Sequence, residues 1–127
     1  MEENFVTFEI AKKLKEKGFP QHITDEAYIV DNYGEDEYDI GGLLPIPLIP
    51  DYMDDIAAPT ISQVLKWLRE DKKIHIGFGY SPRKKWRYVV MYMDDRFYNK
   101  PTLDVDGFLR IDIAALAGIE YVLDILI

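Results

Sequence analysis

The stretch Ile74-His75-Ile76-Gly77-Phe78-Gly79-Tyr80-Ser81-Pro82-Arg83-Lys84-Lys85-Trp86-Arg87-Tyr88-Val89-Val90-Met91-Tyr92-Met93 decides how this chain folds. Up to Tyr80 the apolar residues alternate. Ile74, Ile76, Phe78 and Tyr80 share one side, while His75, Gly77 and Gly79 take the other, the period of a half-buried strand. From Trp86 the run is rich in aromatic and β-branched residues that favour a pleated surface. Trp86, Tyr88, Val90 and Tyr92 lie on one side and Val89, Met91 and Met93 on the other. Two apolar sides in the second half indicate a central strand, either covered on both faces or with one face used for contact. The five residues Ser81 to Lys85 between the runs fit an antiparallel hairpin.

Helices are expected on either side of this hairpin. Upstream, Ala57-Ala58-Pro59-Thr60 is an entry signal, and Ile61, Val64, Leu65 and Leu68 form one stripe with Trp67 beside it, ending near Asp71 to Lys73. Downstream, Asp94 to Pro101 reads as a polar connection. Leu103, Val105 and Phe108 suggest a short edge strand interrupted at Asp106-Gly107. Asp112 is the expected N-cap of a closing, largely buried helix with the stripe Leu116, Ile119, Val122, Leu123 and Leu126; Gly118 would allow close packing.

The amino-terminal third begins with an amphipathic helix capped by Thr7. It turns Val6, Ile10 and Leu14 inward and carries Lys12, Lys13, Lys15 and Lys17 on its solvent side and last turn. Gly18 reads as the left-handed residue after it and Phe19 as its hydrophobic clasp. Ala27 to Val30 and Tyr38 to Ile40, around the turn chemistry of Asn32 to Asp36, predict a hairpin within residues 23–42. Gly41 to Pro50, with alternating prolines, reads as an extended loop. The expected architecture is a single α+β domain over residues 1–127, a small mostly antiparallel sheet of three to five strands packed with three helices.

The 127 residues are 48% hydrophobic and 30% charged, ordinary for a globular chain. There is no cysteine, which excludes disulfides, thiolate metal sites and cysteine nucleophiles. No secretory leader is visible, and the longest apolar stretch, Leu43 to Ile49, is short and broken by prolines, so a cytoplasmic protein with no membrane association is expected. The net charge of −8 opposes general affinity for nucleic acid. That charge is uneven: no lysine or arginine occurs between Lys17 and Lys66, while basic residues gather at Lys12 to Lys17 and at Lys66 to Arg87.

Signatures of chemistry are missing from the sequence. Neither His22 nor His75 has a serine or carboxylate at a catalytic spacing, and Ser62 and Ser81 lie in no nucleophile motif. Read as a calcium loop, Asp31 to Gly42 puts Tyr33 at the third position, Asp36 at the sixth and Gly42 at the twelfth, so the template fails. Asp104-Val105-Asp106-Gly107 is a shorter and poorer match. Gly77 and Gly79 sit inside a strand with no helix after them, unlike a dinucleotide fingerprint. No catalytic residue, metal or cofactor is expected. Arg83, Lys84, Lys85 and Arg87, interleaved with Trp86, form a phosphate-contact candidate.

Two segments carry a likeness. One is Asn4-Phe5-Val6-Thr7-Phe8-Glu9-Ile10-Ala11-Lys12-Lys13-Leu14-Lys15-Glu16-Lys17-Gly18-Phe19. The other is Ala58-Pro59-Thr60-Ile61-Ser62-Gln63-Val64-Leu65-Lys66-Trp67-Leu68-Arg69-Glu70, running into Lys73-Ile74-His75-Ile76. With the terminal helix from Ala115 to Ile127, they resemble a family of small uncharacterised proteins encoded by phages and prophages of Bacteroides-type gut bacteria. Roughly half the chain carries this likeness. It implies a shared fold and transfers no functional residue.

The leading expectation is a non-enzymatic phage or prophage accessory protein that binds a host or phage protein through an acidic, tyrosine-rich face containing Glu35, Asp36, Glu37 and Asp39. Mimicry of nucleic acid by that face is a variant of it. The alternative is a small nucleic-acid-binding module, similar by fold analogy to double-stranded-RNA-binding and antitoxin-like folds. It would use Arg83, Lys84, Lys85 and Arg87, with Lys72 and Lys73 as further contacts. Either a monomer or a homodimer fits the sequence.

Overall fold

A computed structural model describes residues 4–31, 39–49, 54–93 and 103–127. The fold is α+β, with three α-helices and two three-stranded antiparallel sheets among the described residues. The chain forms two compact units, Phe5–Thr60 and Ile61–Ile127, the latter with Asn4. The strands expected in one small sheet are shared between these units.

In the Phe5–Thr60 unit, α1 spans Phe8–Glu16. The Thr7 hydroxyl caps it by accepting from the Ile10 N–H at 3.3 Å. Gly18, at φ +91°, ends it, and the Phe19 N–H donates back to the Leu14 carbonyl at 2.9 Å. Val6, Ile10, Ala11, Leu14 and Phe19 are all buried. The sheet has the order β2-β1-β3, with β1 Glu26–Asp31, β2 Asp39–Pro45 and β3 Asp54–Ala57.

The β1–β2 hairpin was legible, but two neighbouring readings need correction. Gly41 to Pro45 is strand, not loop, and a 3-10 turn, Ile46–Leu48, follows it. Pro45 is tolerated because β2 is an edge strand, where a missing donor costs no ladder bond. The short β3, half aspartate, gave no alternation signal. Gln21 fastens it: its Oε1 accepts from the Ala57 N–H at 2.9 Å, and its Nε2 donates to the Phe19 carbonyl at 3.0 Å.

In the second unit, α2 spans Ile61–Asp71, β4 Ile74–Tyr80, β5 Trp86–Tyr92, β6 Leu103–Phe108 and α3 Ile111–Tyr121. A π-helical turn, Val122–Leu126, extends α3. The sheet order is β4-β5-β6, so β5 is central. Trp67 is buried on α2 with Val64 and Leu68, displacing Leu65, which is only half-buried. α3 starts one residue before the expected cap. Arg110 takes the N-cap position, and Asp112 lies in the first turn, gripped by the Arg110 guanidinium at 2.9 and 2.7 Å. The buried face of α3 is Ala114, Ala115, Gly118 and Ile119, continued by Val122 and Leu123, while Ile111, Ile113 and Ile125 are exposed. Small residues bury here because they let the helix backbone approach the sheet.

Candidate functional site

Cross-strand register sorts the side chains of the second sheet onto two faces. Ile74 pairs with Tyr92, Ile76 with Val90, Phe78 with Tyr88 and Tyr80 with Trp86. These residues share one face, and Ile76 and Tyr88 lie against Gly118 of α3. The other face holds His75, Gly77 and Gly79 of β4, Arg87, Val89 and Met91 of β5, and Asp104 and Asp106 of β6. Met91 is exposed there, so β5 is not covered on both faces.

The five-residue hairpin loop closes through the Ser81 N–H to the Lys85 carbonyl at 2.8 Å and the Lys84 N–H to the Ser81 carbonyl at 3.0 Å. Lys84 sits at φ +61°, a left-handed position that usually takes glycine. Arg83 and Lys84 are exposed and Lys85 half-buried. Tyr80, at the root of the loop, is 58% exposed. The Trp86 ring meets it edge-on, with centroids 5.2 Å apart.

The four basic candidates do not form one cluster. Arg83, Lys84 and Lys85 stand together at the tip. Arg87 belongs to the sheet face, where its Nη1 is 3.5 Å from Asp104 Oδ2. Its side chain lies across Gly79, and a β-carbon at that glycine would come within 2.7 Å of Arg87 Nε. Lys72 and Lys73 are at the opposite end of β4, about 20 Å from the tip by strand rise. Lys72 lies 3.5 Å from Asp71 and over the Trp67 ring. The carboxyl end of β6 reaches the tip end of the sheet, since Phe108 pairs with Trp86. Exposed Leu109 and Ile111 follow directly, with Arg110 held by Asp112.

Of the acidic candidates, Glu35, Asp36 and Glu37 lie outside the described residues, as do Tyr33 and Tyr38. Asp39 begins β2 opposite Asp31. Asp25, Asp54 and Asp55 are exposed elsewhere in that unit. The Tyr28 hydroxyl donates to the Val6 carbonyl, so this tyrosine is engaged internally. The unit boundary coincides with the charge asymmetry. Phe5–Thr60 carries twelve carboxylates against four lysines, whereas Ile61–Ile127 carries eleven lysines and arginines against nine carboxylates.

Among the described residues no three histidine or carboxylate side chains are grouped to hold a metal ion, and no helix is long and apolar enough to cross a membrane. Two features were not readable beforehand. The Arg87–Asp104 pair needs the β5–β6 register, and the exposure of Tyr80 depends on where the helices stop covering the sheet. Comparison of the chain with protein-family models, curated proteins and solved structures finds no match.

Proposed function

We propose that this chain is a non-enzymatic cytoplasmic accessory protein that binds another protein through the acidic surface of its Phe5–Thr60 unit. The observation that carries this reading is the concentration of negative charge along the sequence of that unit. All four lysines of that unit fall in α1 or on its C-cap, Lys17, and from Gly18 to Thr60 there is no lysine or arginine. Such a surface attracts and orients a basic partner. Glu35, Asp36, Glu37 and Asp39 are the contact residues of this proposal. A phage or prophage setting, with a host or phage protein as partner, is supported by the sequence resemblance.

The test is capture from nuclease-treated lysate of a Bacteroides-type host, followed by titration of the captured protein. Replacing Glu35, Asp36, Glu37 and Asp39 with their amides is expected to weaken binding at least about tenfold, or ~1.4 kcal/mol. An affinity that ignores the four substitutions would remove the acidic surface from the proposal.

A further inference from the structure

We propose that the tip of the β4–β5 hairpin is a contact site for single-stranded nucleic acid, with Arg83, Lys84 and Lys85 on phosphates and Tyr80 stacked on a base. The site lies in the other compact unit from the acidic surface and rests on no part of the protein-binding reading.

The first ground is the state of the cations. Arg87 is paired with Asp104, Arg110 with Asp112 and Lys72 with Asp71. Arg83, Lys84 and Lys85 have no side-chain partner among the described residues. Three consecutive unpaired cations on a closed turn repel one another, and an anionic ligand relieves that repulsion. The second ground is Lys84 itself. Its left-handed backbone, φ +61°, is one that glycine would adopt without strain. A lysine held there keeps a cation in the turn despite that conformational cost.

Tyr80 distinguishes a single strand from other polyanions. It is 58% exposed, next to the cations in sequence and braced edge-on by Trp86, so its ring is ordered before any ligand arrives. A base can stack on such a ring only when it is free of a duplex. Only three cations are involved and the whole chain is acidic, so binding is expected to be weak and confined to low salt. About three phosphate contacts give a slope of log affinity against log salt near −2 for a single strand.

The experiment is fluorescence anisotropy at low salt with a labelled oligo(dT) of about twelve nucleotides, within the range one small binding face occupies. A duplex of equal length and heparin serve as competing polyanions. The expected result is binding to oligo(dT) in preference to both. Lys84→Gly should make the salt slope shallower by about 0.7 while raising the thermal midpoint. Tyr80→Ser should weaken oligo(dT) binding about tenfold and leave the slope unchanged. No binding to oligo(dT), equal binding to duplex or heparin, or indifference to both substitutions overturns the proposal. Captured protein that competes for the tip, its binding lost on Arg83→Gln with Lys84→Gly, would instead assign the tip and exposed Leu109 and Ile111 to an acidic, apolar protein segment.

Discussion

Gly118 in α3 lies directly against Tyr88 in β5: a β-carbon built on the glycine would stand 3.2 Å from two atoms of the tyrosine ring. Ile76 Cγ2 is equally near. Tyr88 and Ile76 are themselves buried, so neither can move into solvent to make room.

A large side chain at Gly118 should therefore lift the helix off the sheet. Gly118→Leu is expected to destabilise the fold by about 1–3 kcal/mol, the usual cost of overpacking. Gly118→Ala should cost much less, because the gain in helix propensity of about 1 kcal/mol offsets a contact that needs only a few tenths of an ångström. Urea unfolding of the two variants would check the order. Equal stability of Gly118→Leu and wild type would mean that α3 does not pack here.

Lys73 connects α2 to β4 at φ +57°. Its carbonyl accepts from the Met93 N–H at 2.8 Å, a backbone bond that a glycine at this position would keep. Lys73→Gly is expected to raise stability by about 0.5–1 kcal/mol, the relief of left-handed strain less the added freedom of the unfolded chain. A lower thermal midpoint would contradict this.

The Gln21 clip on β3 carries the next expectation. Gln21→Ala leaves the Ala57 N–H without its acceptor, and Ala57 is buried. A loss of about 1–2 kcal/mol follows from the unsatisfied donor. Amide hydrogen exchange should show the Ala57 N–H of β3 losing protection before the amides of β1 and β2.

Burial raises the pKa of Tyr28 above its ordinary value, and of Tyr88 too, with the nearby Tyr121 adding to the latter. A raised folded-state value favours the neutral phenol in the native protein. Its contribution to stability is fully present below the unfolded value of about 10 and is lost as pH rises through the folded value. Urea midpoints should be flat from neutral pH to about pH 9.5 and fall beyond it. Tyr28→Phe should be less stable at neutral pH, having lost the bond to Val6, and should fall less steeply in alkali.

Local physics by itself determined much of this protein. The period-two run through Ile74 to Tyr80, the 3.6-residue stripe of α2, the Thr7 cap and the Gly18 stop each depend on residues a few positions apart, so they could be read along the chain. So could the absence of cysteine and the stretch without lysine or arginine from Gly18 to Thr60. Tertiary structure decided what depends on distant pairing. It placed β1 between β2 and β3 and drew the strands into two sheets, because hydrogen-bond ladders between remote segments leave no periodic trace in either. It also separated Arg87 from Arg83, Lys84 and Lys85. The alternation of the strand put Arg87 on the sheet face, and Asp104, seventeen residues away, neutralised it there, while the turn left Arg83 and Lys84 exposed and Lys85 half-buried at the tip.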